Sequence, residues 1–292
     1  MPKISVFIFL CVSCQVIAQP FIDIAKINYS YSPAKGLNHK SNPLKANLIS
    51  IGVNLPLELK KGGDAFIINP FFDHDQGRIA TNDFHVMSQG LFLGFLKRNL
   101  FEHWDITTAF IVRRNKDVDS KLDHDWQYGG IILTTWRKNN TVSLKLGLYF
   151  NKEFFGNYFI PLAGIDWKIS PKNNLFGVLP GNLVLEHKIN QRFYCGFSFR
   201  ALTNSYRLRQ TVDPCLSGDC SARNYLRVDD NQLGAFADFY VYKKFVLTAE
   251  SGSTILRRYR FGLKGNTINN NTDYKNDNYY FRLGLSYRIR FR

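Results

Sequence analysis

The sequence predicts an all-β protein, a single antiparallel up-and-down β-barrel that spans a membrane. Apolar side chains recur at every second position in most segments after residue 20, and successive side chains of a strand point to opposite faces. These segments are about 10–13 residues long, which suits a tilted membrane-spanning strand better than a soluble sandwich. Short and longer connections also alternate along the chain, as they do in outer-membrane barrels.

The last segment shows the alternation most clearly. One face is apolar and the other is rich in arginine. The apolar face carries Tyr279, Phe281, Leu283, Leu285, Tyr287, Ile289 and Phe291, and the opposite face carries Tyr280, Arg282, Gly284, Ser286, Arg288 and Arg290. Aromatic rings lie at both ends of the apolar face, where they suit the interfaces of a membrane. This face is therefore predicted to contact lipid.

About 12 strands are predicted along the chain. They cover residues 21–31, 46–57, 64–72, 84–96, 103–112, 126–137, 141–150, 158–169, 193–208, 226–242, 245–263 and 279–291. The remaining segment 174–189 has apolar runs on both sides of a Pro180-Gly181-Asn182 turn, so it either forms an extra hairpin, which makes 14 strands, or folds into the lumen. Pro70 and Pro161 lie inside proposed strands and predict β-bulges there.

The connections divide into two groups that alternate along the chain. The short ones are predicted at Lys60–Asp64, Lys97–Glu102, Lys138–Asn140, Pro171–Asn174, Asn190–Arg192 and Lys243–Lys244. The longer polar ones are predicted at Ser32–Lys45, Asp73–Asp83, Arg113–Asp125, Arg209–Tyr225 and Lys264–Asn278. Short periplasmic turns and long external loops are typical of outer-membrane barrels. The barrel must also close, because an open sheet edge in lipid leaves backbone groups unpaired.

Residues 1–18 have the pattern of a cleaved signal peptide. Lys3 precedes a short apolar core, and Ala18 ends a small-residue cleavage site. Cys14 fits a lipoprotein acylation site poorly. Residues 19–292 then form one barrel domain, and no later stretch is long enough to be a membrane-spanning helix.

Basic side chains outnumber acidic ones in this chain. Lys and Arg total 38 and Asp and Glu total 23, a formal net charge of +15. Export and strand placement exclude nucleic acid as a partner, so the charges are assigned to the lumen and to anionic lipid. The predicted lumen charge cluster contains Lys145, Asp166, Lys168, Glu186, Arg200, Asp238, Glu250, Arg282, Arg288 and Arg290. Buried guanidinium groups need partners, and incomplete pairing would leave a field that favours anions.

Two histidine motifs are candidates for a catalytic or metal-binding site. His39 and Ser41 have the spacing of a base and a nucleophile, but they lie in a loop between two prolines, which gives them no fixed common face. Asp73-His74-Asp75 and Asp123-His124-Asp125 are repeated in two predicted external loops, and each offers only part of a metal site. No metal, cofactor or catalytic residue is predicted, and His39 with Ser41 is kept as the weak enzymatic alternative.

The cysteines predict one small disulfide. Cys215 and Cys220 share a loop, and an exported chain meets an oxidising compartment. Cys11 and Cys14 leave with the signal peptide. Cys195 then stays unpaired on a phenylalanine-rich face and is predicted to contact lipid.

Several stretches resemble an uncharacterised family of Gram-negative outer-membrane β-barrel proteins. The resemblance runs over most of the mature chain and is densest from 126 to 208. It is carried by Asn151–Gly156, Pro161–Lys168, Phe176–Pro180 and Thr203–Arg207. It implies an outer-membrane barrel of unknown function and brings no catalytic residues. The final strand also resembles the signal that the barrel-assembly machinery reads, although Arg292 follows the terminal aromatic residue Phe291.

The sequence therefore predicts an integral outer-membrane barrel that is structural or forms a narrow pore with a basic lumen. Two other functions stay open. One is a lipid-modifying hydrolase that uses His39 and Ser41, and the other is a surface-binding protein that acts through its external loops. The expected partners are outer-membrane lipid, lipopolysaccharide and, during biogenesis, the barrel-assembly machinery.

Overall fold

The computed structural model of the protein describes residues 20–34, 44–59, 63–79, 82–119, 126–208, 225–262 and 273–291. All helical or strand structure in these ranges is β-strand, which confirms the predicted all-β class. None of the described residues form a helix that is long and apolar enough to cross a membrane. The predicted signal peptide, residues 1–18, lies outside the described residues.

Sixteen strand segments follow one another along the described chain. They are β1 (Phe21–Ser32), β2 (Leu44–Val53), β3 (Leu55–Leu59), β4 (Asp64–Ile79), β5 (Asn82–Phe101), β6 (Trp104–Asp117), β7 (Trp126–Arg137), β8 (Val142–Glu153), β9 (Gly156–Lys168), β10 (Asn173–Leu179), β11 (Asn182–Lys188), β12 (Phe193–Arg207), β13 (Tyr225–Tyr242), β14 (Phe245–Gly262), β15 (Asp273–Lys275) and β16 (Tyr279–Arg290).

These segments form a closed antiparallel barrel with 14 strands in its wall. The ring closes between β1 and β16, where Phe21 lies opposite Arg290. β2 and β3 form one wall strand that is interrupted at Asn54, and β15 is a short strand beside β14. The hairpin β10–β11 lies in the wall between β9 and β12, so the 14-strand alternative is confirmed and the count of 12 is wrong.

The period-two pattern separates the two faces of the wall. On β16 the exposed residues include Tyr279, Phe281, Leu283 and Leu285, while Tyr280, Ser286 and Arg288 are buried. The same division recurs around the ring. Exposed apolar side chains include Ile27, Ile51, Phe66, Leu93, Phe110, Ile132, Leu146, Phe159, Phe197, Leu233 and Leu247. The outer surface is therefore an apolar belt, and the polar face of each strand turns inward.

Neither predicted bulge is present at the prolines. Pro70 pairs with Leu91 of β5 without a register shift, and the break between β2 and β3 lies opposite it. Proline has no N–H to donate, so the ladder is interrupted there while the register is retained. Pro161 pairs with Leu148 of β8. It lies beyond the end of β10, so no β10 carbonyl is left without the N–H that proline lacks.

The two ends of the barrel differ. At one end, called the terminal end here, lie Phe21, Arg290 and six connections between strands, such as Lys243-Lys244. At the other, called the loop end, the connections include 33–43, 118–125, 208–224 and 263–272 as well as two tight turns at Phe154-Phe155 and Pro180-Gly181.

Two predicted loops are strands in the structure. The predicted loop Asp73–Asp83 is wrong, because β4 continues to Ile79 and β5 begins at Asn82. The predicted loop Arg113–Asp125 begins too early, because β6 continues to Asp117. Both segments are polar because they extend beyond the apolar belt at the loop end.

Candidate functional site

A ladder of arginine–carboxylate pairs runs along the inner face of one wall, and it is called the arginine ladder here. Its members come from β1, β11, β12, β13, β14 and β16. The arginines are Arg200, Arg257, Arg282, Arg288 and Arg290, and the carboxylates are Asp23, Glu186, Asp230, Asp238 and Glu250. Period-two alternation places most of these side chains on the same inward face, and a register shift between β13 and β14 next to Leu256 brings Arg257 to it as well.

The lower rungs lie near the terminal end. Arg290 donates to both oxygens of Glu186, at 3.0 and 2.6 Å, and its guanidinium lies 3.8 Å from the centre of the Tyr194 ring. Arg288 bridges two carboxylates, Asp23 at 2.6 Å and Asp238 at 2.5 Å. Each charge is thus met by opposite charge and by directed hydrogen bonds, which a buried ion pair requires.

The upper rungs lie closer to the loop end. Glu250 is bound by Arg200, by Arg282 at 3.3 Å and by the Tyr280 hydroxyl at 2.5 Å. Above it, Arg257 donates to Asp230 at 3.2 Å and to the Ser32 hydroxyl at 3.0 Å. These rungs connect β12, β13, β14, β16 and β1 across the interior, so they fix the shape of this wall.

The structure brings nearly all of the predicted lumen cluster together. Lys145 pairs with Asp166 at 2.7 Å, and the other predicted arginines and carboxylates are members of the arginine ladder. Lys168 is exposed at the end of β9. Every arginine of the predicted cluster faces a carboxylate, so paired charge rather than a cationic surplus lines this wall.

A second polar network, which the sequence pattern did not predict, lies on the opposite wall. Arg113 of β6 binds Glu153 of β8 and donates to the Gln127 side chain at 3.1 Å. Arg113 also donates to the Asn204 side chain at 2.8 Å. Arg113 occupies one of the inward-facing positions of β6, which recur at every second residue. The sequence instead predicts a loop that begins at Arg113.

The loop end of β12 stays paired with β13 and also reaches strands on the opposite side of the ring. The Ser205 hydroxyl donates to Glu153 at 2.6 Å and accepts from the side chain of Gln127 at 2.9 Å and from the backbone N–H of Phe154 at 3.0 Å. Two residues further on, Arg207 pairs in parallel with Lys116 of β6. β12 and β6 are far apart in the ring, so this contact joins opposite sides of the barrel.

A buried apolar cluster lies in the lumen beside this contact, and it is called the loop-end cluster here. It is contributed by β2, β4 and β5 from one side and by β12, β13, β14 and the residue after β12 from the other. Its members are Ala46, Ile79, Phe84, Val86, Tyr206, Leu208, Leu226, Val228, Tyr259 and Phe261. Phe84 and Tyr259 have ring centres 5.7 Å apart. Side chains from both sides thus meet inside the barrel at the loop end.

The side chains of the Asp73-His74-Asp75 motif point to opposite faces of β4. Asp75 turns inward and is buried, while His74 faces outward and its Nε2 lies 2.6 Å from Nε2 of His85 on β5. Within the described ranges, no group of three or more His, Cys, Asp or Glu side chains is arranged to hold a metal ion.

Several predicted residues fall outside the described part of the chain. They are His39 and Ser41, Asp123-His124-Asp125, and the cysteine pair Cys215 and Cys220. Cys195 is described and is unpaired on β12, on the same face as the exposed Phe197.

The outer surface carries an apolar groove. Its volume is about 560 Å³, and it crosses β4 to β8 where the small residues Thr108 and Gly130 lie between Phe66, Phe95, Phe110 and Phe150. The lining is almost entirely apolar, as expected of a surface that meets acyl chains.

The sequence matches no protein-family model and no curated protein. The structure is similar to several solved barrels. An outer-membrane channel from Pseudomonas putida F1 aligns over 96% of this chain and 98% of its own, at 8% identity and a TM-score of 0.47. A TodX mutant, a monoaromatic hydrocarbon channel, aligns over 91% of this chain and 89% of its own, at 8% identity and a TM-score of 0.43. The NanC porin aligns over 91% of this chain and 100% of its own, at 8% identity and a TM-score of 0.40.

Proposed function

We propose that the protein is an integral barrel of the outer membrane that acts as a narrow pore and rests in a closed state. The observation that carries the proposal is the exposed apolar belt around a closed ring whose inner face is polar. A closed ring pairs the backbone groups of neighbouring strands with each other, which a lipid environment favours. The short connections orient the terminal end toward the periplasm and the loop end toward the outside.

The proposal of a closed resting state depends on the loop-end cluster. Its side chains come from both sides of the lumen and are buried, so water and ions have no path through them. The arginine ladder stiffens one wall below the cluster. Because its charges are paired, we expect weak ion preference once the pore opens, rather than the strong anion selectivity of an unpaired basic lumen.

Planar-bilayer recording tests this function. Wild-type protein is expected to be silent or to open rarely, while the variant Phe84→Ser with Tyr259→Ser should conduct persistently, because it removes a ring pair that bridges the lumen. The matched control is Phe66→Ser with Phe95→Ser, a ring pair on the outer belt with centres 5.1 Å apart, which should leave the conductance unchanged.

Three results are informative. Silence of the Phe84/Tyr259 variant, with its resistance to sodium dodecyl sulfate at room temperature intact, would favour a purely structural barrel. Steady conductance of the wild type would show that the loop-end cluster does not seal the lumen. Conductance of the control variant would mean that the loss of any ring pair loosens the wall.

We also propose lipopolysaccharide as a partner at the loop end and the barrel-assembly machinery as a partner of β16. The support is chemical. Arginine side chains such as Arg78 are exposed beyond the belt and suit anionic lipid, and β16 alternates up to an aromatic residue close to its end. Crosslinking from β16 during biogenesis tests the second partner.

A further inference from the structure

In the part of the chain that the structure describes, the barrel wall is incomplete beside β10 and β11. Each of these strands has only seven residues, whereas β9 has 13 and β12 has 15. A membrane-spanning strand needs about 9–11 residues, so this hairpin is too short to cross the apolar belt. Its tip ends at the level of Ala163 on β9 and Arg200 on β12.

The space above the tip is bounded on all sides by described residues, and it is called the wall gap here. Below it, the Ala201 N–H donates to the Pro180 carbonyl at 3.1 Å. Above it, the Phe154 N–H donates to the Ser205 hydroxyl at 3.0 Å. β9 and β12 form the sides and do not pair with each other in the described residues. At its base the gap spans three strand spacings, about 14 Å.

The lining of the wall gap is apolar. Phe159 and Pro161 lie on its β9 side, Leu179 lies at the tip, and Leu202 lies on its β12 side. Leu202 pairs with Asp230 of the arginine ladder, so its register places it on the inner face, yet 40% of it is exposed. An inward leucine that is this exposed indicates open space behind the gap.

A cationic group lies above the wall gap. Arg227 and Arg260 both bind Asp229, and Arg258 lies 3.7 Å from Asp273. Counted over the described residues, these three arginines face two carboxylates, which gives the group a net charge of one positive unit. Arg227 also stacks 4.1 Å from the centre of the Phe155 ring, at the β8–β9 turn beside the upper edge of the gap.

We propose that the wall gap binds an anionic lipid of the outer leaflet, with one acyl chain passing through the wall and the headgroup on the cationic group. The proposal rests on the membrane placement in the proposed function. An apolar opening within the belt fits an acyl chain, and the surplus positive charge above it complements a phosphate.

Quenching by brominated lipids tests the acyl chain. A bimane label is placed at Leu202→Cys in a cysteine-free chain reconstituted with lipids that are brominated on their acyl chains. Leu233→Cys, exposed on the outer face of β13, is the lipid-facing reference. Ile131→Cys is the lumen reference, because Ile131 shares the inward-facing period of the buried Gln127 on β7, between β6 and β8 where the wall is complete.

The expected result is quenching at Leu202 within about twofold of that at Leu233 and little quenching at Ile131. If Leu202 behaves as Ile131 does and responds only to aqueous iodide, the proposal is overturned. Strong quenching at Ile131 overturns it as well, because lipid would then fill the lumen by another route. Absence of quenching at Leu233 would instead contradict the membrane placement itself.

A second comparison tests the headgroup. Brominated phosphatidylglycerol should quench Leu202 more strongly than brominated phosphatidylcholine, and Arg260→Gln should remove that difference while Arg260→Lys retains it. Arg78→Gln changes a loop-end arginine on β4 and should leave the difference intact. An unchanged difference in Arg260→Gln would overturn the assignment of the headgroup site.

Discussion

Arg290 and Glu186 are 104 residues apart in the chain, yet the two guanidinium Nη atoms of Arg290 donate to the two carboxylate oxygens of Glu186 at 3.0 and 2.6 Å. The pair joins β16 to β11 across the interior. Bidentate pairs of this kind combine strong hydrogen bonds with a fixed geometry. The arginine ladder therefore cross-links the wall from inside.

Glu186→Gln should destabilise the barrel strongly, because it leaves the Arg290 guanidinium inside the lumen without a counter-charge. Loss of one partner of a buried pair typically costs about 3–5 kcal/mol. Urea unfolding in liposomes, followed by tryptophan fluorescence, measures the change. The control is Asp83→Asn, which breaks the exposed Arg78–Asp83 pair, with side chains 64% and 68% accessible, and should change the stability little. Equal costs for the two variants would contradict the role given to the ladder.

Leu146→Arg should impair membrane insertion, because 66% of Leu146 is exposed in the middle of the outer face of β8. A lipid-facing arginine near the bilayer midplane costs about 2–4 kcal/mol. The same substitution at Gln76, exposed on β4 toward the loop end, should cost little. The comparison is made by unfolding in liposomes. A tolerated arginine at position 146 would argue that this face meets water.

Gly177→Ala should destabilise the hairpin β10–β11. Gly177 has a φ of +143°, and a Cβ there would lie 2.2 Å from the Asn182 carbonyl oxygen. A residue forced into such a conformation costs about 1–3 kcal/mol. Gly130→Ala is the control, since its Cβ would meet only the Ala109 carbonyl oxygen, at 3.4 Å. The two unfolding midpoints are compared; a lower midpoint for Gly130→Ala than for Gly177→Ala would refute the strain argument.

Ser41→Ala should leave the lipid A and phospholipid composition of the host membrane unchanged, because a His-x-Ser pair without a fixed strand face is a weak basis for a hydrolase. Mass spectrometry of extracted lipids makes the measurement, with Ser50→Ala, a substitution on β2, as the matched control. A shift in acylation that occurs only in Ser41→Ala would revive the enzymatic alternative.

Strand positions were the most predictable part of the fold. Twelve predicted spans correspond to wall strands. The span 126–137 agrees to the residue with the structure, and several others, such as 193–208, agree to within one residue at each end. Alternation over ten or more residues is a strong signal because one face meets lipid along its whole length. The hairpin 174–189 gave a weak signal, since two strands of seven residues carry few alternating positions.

Strand ends beyond the belt were less predictable. Past Phe72 on β4 and Val112 on β6 the outward face leaves lipid, so both faces are polar and the sequence reads as a loop. Arg113 was missed for this reason, although it lies at the centre of the second polar network.

The contact of β12 with β6 was not predictable from alternation at all. The period of two shows which residues share a face, and it carries no information about which distant strand a residue reaches. The contact between Ser205 and Glu153 and the register of Arg207 with Lys116 depend on pairs of residues that are distant in the chain. Only the folded ring brings them together.

The pairing of β1 with β16 constrains how the barrel can be assembled. The ring cannot close before both of these strands have been synthesised, although β2 to β14 can already pair in order. Because β12 reaches β6 while it stays paired with β13, we expect this contact to form before the ring closes. The junction between the first and last wall strands would then be the last to pair.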